Sequence, residues 1–153
     1  MPQFIIRPAV PADATAMHRV RLSVTENRLV SMALTEHDYV DAIQQTGRGW
    51  VAEVHGIVVG FAVGNSQTGN IWALFVDPGH EGRGYGRKLH DVMVAWLWEQ
   101  GHDRLWLSTD SSTRAERFYL HAGWQRAGAA GDGEVRFELT RPGSASDPRD
   151  ARA

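Results

Sequence analysis

Apolar residues recur at two different spacings, and each switch between them marks a new element. Phe4–Arg7 is a short apolar run stopped by Pro8, which predicts a strand. Pro11 and Asp13 then open a helical stretch with Met17, Val20 and Val24 on one stripe. A second helix starts at Thr35, which has capping-box spacing to Asp38, while Leu34 and Tyr39 are spaced as a hydrophobic staple. Tyr39, Val40 and Ile43 form its apolar face, and Gly47 is a natural stop. Period two then takes over. Trp50–Val54 and Ile57–Val63 flank His55-Gly56, which predicts a hairpin with a tight turn. Gln67–Asn70 is turn chemistry before a third run, Ile71–Val76. A long helix follows, with Leu89, Val92, Met93, Trp96 and Leu97 at helical spacing up to Gly101. Arg104–Ser108 alternates as a strand, and Thr113 with Glu116 opens another helix that runs to Gly123. Trp124–Gly128 and Glu134–Thr140 form a closing strand pair, with Val135, Phe137 and Leu139 on one face.

The order β–α–α–β–β–β–α–β–α–β–β predicts a mixed α/β (α+β) chain with a central hairpin. At 153 residues, 42% hydrophobic and 22% charged, it is expected to be one globular domain over residues 3–140. Residues 141–153 carry no apolar anchor and read as a disordered tail. Sixteen basic against eighteen acidic residues give a net charge of −2, which argues against nucleic acid or an anionic membrane as partner. The absence of cysteine excludes a disulfide scaffold, a thiol nucleophile and cysteine-ligated metals, and fits a cytoplasmic protein. The longest apolar stretch, Ile57–Val63, is far too short to cross a membrane, and the N-terminal residues show no secretory pattern. The seven histidines never fall in H-x-H or H-E-x-x-H spacing, so no metal is expected.

The chemistry concentrates in Val76–Leu89. There a strand ends at Val76, glycines stand at positions 79, 82, 84 and 86, and an amphipathic helix begins. Glycine lets main chain approach a ligand closely, and the first-turn N–H groups of a helix have no intrahelical partners. With the positive end of the helix dipole they suit a diphosphate, and Arg83, Arg87 and Lys88, the only lysine, add charge at the same place. The spacing is G-x-G-x-G, neither the dinucleotide fingerprint nor a P-loop.

Glu81-Gly82-Arg83-Gly84-Tyr85-Gly86 after strand Ile71–Val76 resembles the acetyl-CoA loop of the GCN5-related N-acetyltransferase (GNAT) family. The run Ser112–Trp124, with its Phe118-Tyr119 pair and Gly123-Trp124 ending, is similar to that family's second signature, and the element order matches over roughly residues 3–140. The resemblance implies a mixed, mostly antiparallel sheet of about seven strands, splayed between strands 4 and 5, with four helices. It further implies that Leu74, Phe75 and Val76 bond the pantetheine arm of acetyl-CoA through their main chain. Glu81, Gly82, Arg83, Gly84, Tyr85, Gly86 and Arg87 would hold the diphosphate, with Ser112 in place of a cofactor-contacting asparagine. An amine acceptor would attack the thioester directly, the N–H of Val76 would steady the oxyanion, and Tyr119 would protonate the departing thiolate.

Two departures bear on mechanism. Glu81 stands where the family usually carries Gln or Arg, and Asn70 and Trp72 stand where relatives often place a glutamate base. A base must come from elsewhere: Glu26, Asn27, His37, Glu53 and Asp110 are candidates, or water carries the proton. Glu26 is preferred as base or acceptor contact, and Asn27 and Trp72 are candidate acceptor contacts. Glu26, Glu36, Asp38 and Asp41 around the acceptor entrance suggest a cationic acceptor, a small-molecule or peptide amine. A non-catalytic acyl-CoA sensor is the alternative, and an enzyme acting on charged tRNA is disfavoured by the net charge. Strand edges near Glu134–Thr140 offer a route to a homodimer.

Overall fold

The computed structural model describes residues 4–24, 32–110, 113–131 and 133–143. In chain order the elements are β1 (Phe4–Pro8), a 3-10 turn (Pro11–Asp13), α1 (Ala14–Ser23), α2 (Glu36–Gln44), β2 (Gly47–Val54), β3 (Ile57–Asn65) and β4 (Ile71–Val76). A second 3-10 turn (Pro78–His80) leads to α3 (Tyr85–Glu99), β5 (Arg104–Asp110), α4 (Arg114–His121), β6 (Gln125–Gly131) and β7 (Glu134–Thr140). The strands form two antiparallel sheets, β1-β2-β3-β4 and β5-β7-β6. This is the mixed α+β arrangement with four helices that the sequence predicts, and β4 and β5 are the strands that part.

The parting has a local cause. A single parallel bridge, Asn70 to Trp106, joins the sheets among the described residues. The Trp106 main-chain N–H donates to Gly69 O at 3.1 Å, its indole donates to Thr68 O at 3.2 Å, and Asn70 Nδ2 donates to Trp106 O at 3.3 Å. Pinned at the start of β4, the strands share no further ladder, which leaves one edge of Trp72–Val76 without a strand partner.

Short-range chemistry sets the flanking elements. Thr35 accepts from the Asp38 N–H and the Asp38 carboxylate accepts from the Thr35 N–H, so the capping box forms. Arg7 donates two hydrogen bonds of 2.8 Å to Asp13 and one of 2.7 Å to Glu53, tying the start of α1 to the first sheet. His55 and Gly56 both have positive φ, 52° and 79°, the backbone of a tight primed hairpin turn.

The first sheet is buried on both faces. Met17, Val20, Tyr39, Phe61 and Val63 fill the side under α1 and α2. Leu89, Met93, Leu97, Leu105, Trp124 and Phe137 fill the side under α3 and α4. A Cβ on Gly64 would lie 3.0 Å from Leu97 and 3.2 Å from Met93, so this glycine lets α3 settle closely on the sheet.

Several expectations shift. Gly47 begins β2 instead of closing α2, because a Cβ there would lie 1.8 Å from Gly64 O, and the pairing needs glycine. Val92 is 38% exposed; His90 and Val94 take the buried positions beside it. Val24 caps α1 from outside the helix. β7 lies between β5 and β6 with both edges paired, so the outer strands of that sheet are β5, which faces the gap, and β6, and not Glu134–Thr140. Residues 144–153, most of the expected tail, lie outside the described residues.

Candidate active site

The gap between β4 and β5 widens into a cleft of about 540 Å³. One wall is Leu74, Phe75 and Val76 from the unpaired edge of β4. It continues through Pro78, His80, Glu81, Gly82 and Gly84 into Tyr85, Gly86 and Arg87 on the first turn of α3. The other wall is Arg114, Ala115, Phe118 and Tyr119, whose spacing places them on one face of α4, and Val24 contributes beyond the end of α1.

Gly84 is the N-cap of α3 and has φ of 84°, a left-handed conformation that L side chains adopt only with strain. No neighbour lies within 4 Å of a Cβ built there, so main-chain conformation and open space, not crowding, select glycine. The turn leaves the first amides of α3 free of intrahelical partners beside the cleft. Tyr85 anchors this end: it is buried and stacks on Phe4 with ring centroids 4.5 Å apart.

Two groups at the same end reflect the unusual loop. Glu81 forms an ion pair with Arg114, and both line the cleft, so the pair joins the loop after β4 to the start of α4. The Nδ1 atom of His80 is buried without a hydrogen-bond partner among the described residues. Arg83 is exposed and lies outside the cleft wall.

Tyr119 is the last of the α4 residues in the wall and is 6% exposed. Phe118 and Trp124 pack edge-on against its ring at 5.3 and 5.5 Å. Burial raises its phenol well above the ordinary value, so the hydroxyl keeps its proton throughout the neutral range.

Trp72 takes a different place from that expected. It packs against the edge of Tyr39 at 5.4 Å, beneath the Arg21 guanidinium 5.5 Å from its ring, and does not line the cleft. Arg21 also lies 4.8 Å above Phe75, which does line it. Burial lowers the Arg21 pKa, while the Tyr39 hydroxyl, 2.8 Å from His18 Nδ1, counteracts this.

The described carboxylates expected as a base or around the acceptor entrance have structural occupations. Glu53 pairs with Arg7, and Asp38 completes its capping box. Glu36 accepts from Thr15, and Asp41 pairs with exposed His37 at 3.2 Å. Neither they nor Asp110 line the cleft. Asn70 is committed to Trp106. Glu26, Asn27 and Ser112 lie outside the described residues. The wall positions not singled out from sequence are Val24, Pro78, His80, Arg114, Ala115 and Phe118. Helical spacing back from Tyr119 was the signal for three of them.

Residues 14–124 match the model of the acetyltransferase (GNAT) family. The chain belongs to that GNAT family. Over 63 residues it is 41% identical to the mycothiol acetyltransferase of Beutenbergia cavernae, a match covering 40% of this chain and 21% of that protein, so the chain spans about a fifth of the relative's length. The PaiA N-acetyltransferase of Thermoplasma acidophilum, solved in complex with coenzyme A, superposes with a TM-score of 0.78 at 12% identity, covering 91% of this chain and 99% of the other. The ribosomal-protein-S18-alanine N-acetyltransferase of Escherichia coli gives a TM-score of 0.72 at 18% identity, covering 90% and 94%. At such identities these likenesses establish the GNAT fold.

Proposed function

We propose that the protein transfers the acetyl group of acetyl-CoA to the primary amine of a small molecule or peptide, by direct attack within a ternary complex. The observation that carries this reading is the cleft itself. Its middle is an unpaired strand edge opposite a buried tyrosine, and its end is a helix N-terminus between Arg87 and Arg114. Such a gap suits a slender, amide-bearing arm with a diphosphate at one end, and PaiA was solved with coenzyme A.

In this reading the main chain of Leu74, Phe75 and Val76 bonds the arm, as a further strand would. The amides of Gly82–Gly86, with Arg87, hold the diphosphate; Arg83 adds only long-range charge from outside the wall. The acceptor nitrogen attacks the carbonyl carbon, charge develops on the carbonyl oxygen near the Val76 N–H, and the carbon–sulfur bond breaks. Tyr119 serves the departing sulfur. Because burial raises its phenol above an ordinary thiol, full proton transfer to the thiolate is uphill, and donation of a hydrogen bond supplies most of the help. With no carboxylate from β4 in the wall, water carries the acceptor's proton to solvent.

Calorimetry with coenzyme A, followed by thiol release from acetyl-CoA against an amine panel, tests the proposal. Wild type is expected to bind and to release thiol with at least one amine. Gly84→Val should weaken coenzyme A binding by about ten- to a hundredfold, because a left-handed β-branched residue costs ~1–2 kcal/mol and disturbs the adjacent amides. Absence of binding overturns the reading. Binding without thiol release across the panel would favour the acyl-CoA sensor.

A further inference from the structure

His90 lies one turn into α3, just behind the cleft wall. It is 3% exposed and has two partners of opposite kind. The Trp124 indole N–H donates to His90 Nε2 at 2.9 Å. An indole nitrogen only donates, so Nε2 must present its lone pair and the ring proton of the neutral imidazole sits on Nδ1. From there it donates to Asp91 Oδ1 at 2.8 Å, and the same oxygen accepts from Arg87 Nε at 3.0 Å. Burial, opposed by Asp91, lowers the His90 pKa and favours this neutral form.

The two ends of this run touch different parts of the cleft. Arg87 lines it at the proposed diphosphate end. Trp124 follows α4 and packs edge-on against Tyr119, while Phe118, beside Tyr119 in the wall, packs edge-on against the His90 ring at 5.8 Å. His90 is on α3, which follows β4, and Trp124 comes just after α4, which follows β5, so the two lie beyond strands that have parted. A buried hydrogen bond between them therefore ties one wall to the other.

We propose that His90 is a positioning residue: through Asp91 it orients Arg87 toward the diphosphate, and through Trp124 it fixes Tyr119 against the thioester. The inference rests on the acetyl-CoA reading and extends it to a residue that touches no substrate. An apolar side chain would fill the same volume. It would leave the buried Trp124 N–H without an acceptor and Asp91 with Arg87 alone as donor, so the imidazole serves both directions at once.

Two substitutions separate those directions. His90→Gln places an amide oxygen near the Nε2 position, which keeps an acceptor for Trp124 and removes the donor to Asp91. His90→Asn places an amide nitrogen near Nδ1, which keeps the donor and removes the acceptor. Asp91→Ala, at a largely exposed position, breaks the run on the Arg87 side and leaves the His90–Trp124 hydrogen bond in place. The readouts are calorimetry with coenzyme A and steady-state kinetics with acetyl-CoA and with acetylpantetheine, which lacks the diphosphate.

His90→Gln and Asp91→Ala are expected to weaken coenzyme A binding about two- to fivefold, the usual worth of an exposed ion-pair orientation, and to leave kcat/KM for acetylpantetheine unchanged. His90→Asn is expected to keep coenzyme A affinity and lower kcat about tenfold with both acetyl donors, as a displaced catalytic group does. Equal losses with both donors in every variant, or no change in any, would overturn the positioning role. If both His90 variants fail to fold, Asp91→Ala decides: loss confined to the diphosphate-bearing donor supports the Arg87 side of the run, and no loss overturns the proposal. Wild type that fails to bind coenzyme A would overturn the acetyl-CoA reading, and this inference with it.

Discussion

At the glycine-rich end of the cleft, the wall is largely main chain: the edge of β4, the left-handed turn at Gly84 and the first amides of α3. Beneath α1 the position is reversed. There the groups beside the cleft are large side chains, with Arg21 over Trp72 and Phe75, and Tyr39 between His18 and Trp72. Main-chain donors recognise a ligand whatever side chains surround them, so in the proposed function the first end would tolerate changes such as Glu81. A side-chain wall changes its preference with each substitution. In the proposed function the common co-substrate would be read by backbone, and the choice of acceptor would fall to the side-chain end.

Tyr119, between the two ends, gives the largest expected effect. Tyr119→Phe removes one buried hydroxyl and keeps the ring packed against Phe118, Trp124 and Phe137. Turnover should fall about 10²–10³-fold, the range for losing one preorganised hydrogen-bond donor. Coenzyme A affinity by calorimetry should stay within about twofold, since ring packing holds the wall in place. A matching loss of affinity would show that the hydroxyl belongs to cofactor binding and that the division between the ends is misplaced.

The same division explains what could be read from the sequence. The glycine spacing before Leu89 announces a main-chain site directly, because a left-handed cap needs glycine and the helix that follows is strongly periodic. Thr35 with Asp38 and Thr113 with Glu116 announce their helix starts for a similarly local reason, and both caps form. Long-range relations were less legible. Trp72 alternates toward the cleft on paper, yet Tyr39 and Arg21, distant in sequence, draw it into their own cluster. His90 shares the helical spacing of Met93 and Leu97, yet nothing local names its partner, Trp124, which arrives from beyond α4. Glu81 looks like a misplaced charge in a phosphate loop, and only the fold brings Arg114 opposite it.

The side-chain end can be perturbed by itself. Tyr39 is fully buried, and its hydroxyl lies 2.8 Å from His18 Nδ1 and interacts with Arg21. Tyr39→Phe deprives both of that oxygen and should lower unfolding stability by about 1–3 kcal/mol, measured by urea titration. Coenzyme A affinity is expected to remain as in wild type, while KM for an accepted amine changes. If coenzyme A affinity fell in step with stability, the two ends would be one cooperative unit.

The smallest effect concerns Glu81, where the main-chain end carries an unfavourable side chain. Its carboxylate faces the cleft beside the proposed diphosphate site, and its ion pair engages Arg114 from the opposite wall. A bound diphosphate therefore meets a like charge and competes with it for the Arg114 guanidinium. Glu81→Gln keeps the side-chain length and removes that competition, so coenzyme A binding should tighten. Both partners are substantially exposed, at 66% and 33%, so solvent screens the gain to about two- to fivefold. Calorimetry at low and high ionic strength checks the cause, because a charge effect shrinks as salt is added and a packing effect does not. Weaker binding in the variant would assign Glu81 the opposite role, a tie that holds the loop against α4 and keeps the glycine amides aimed at the cleft.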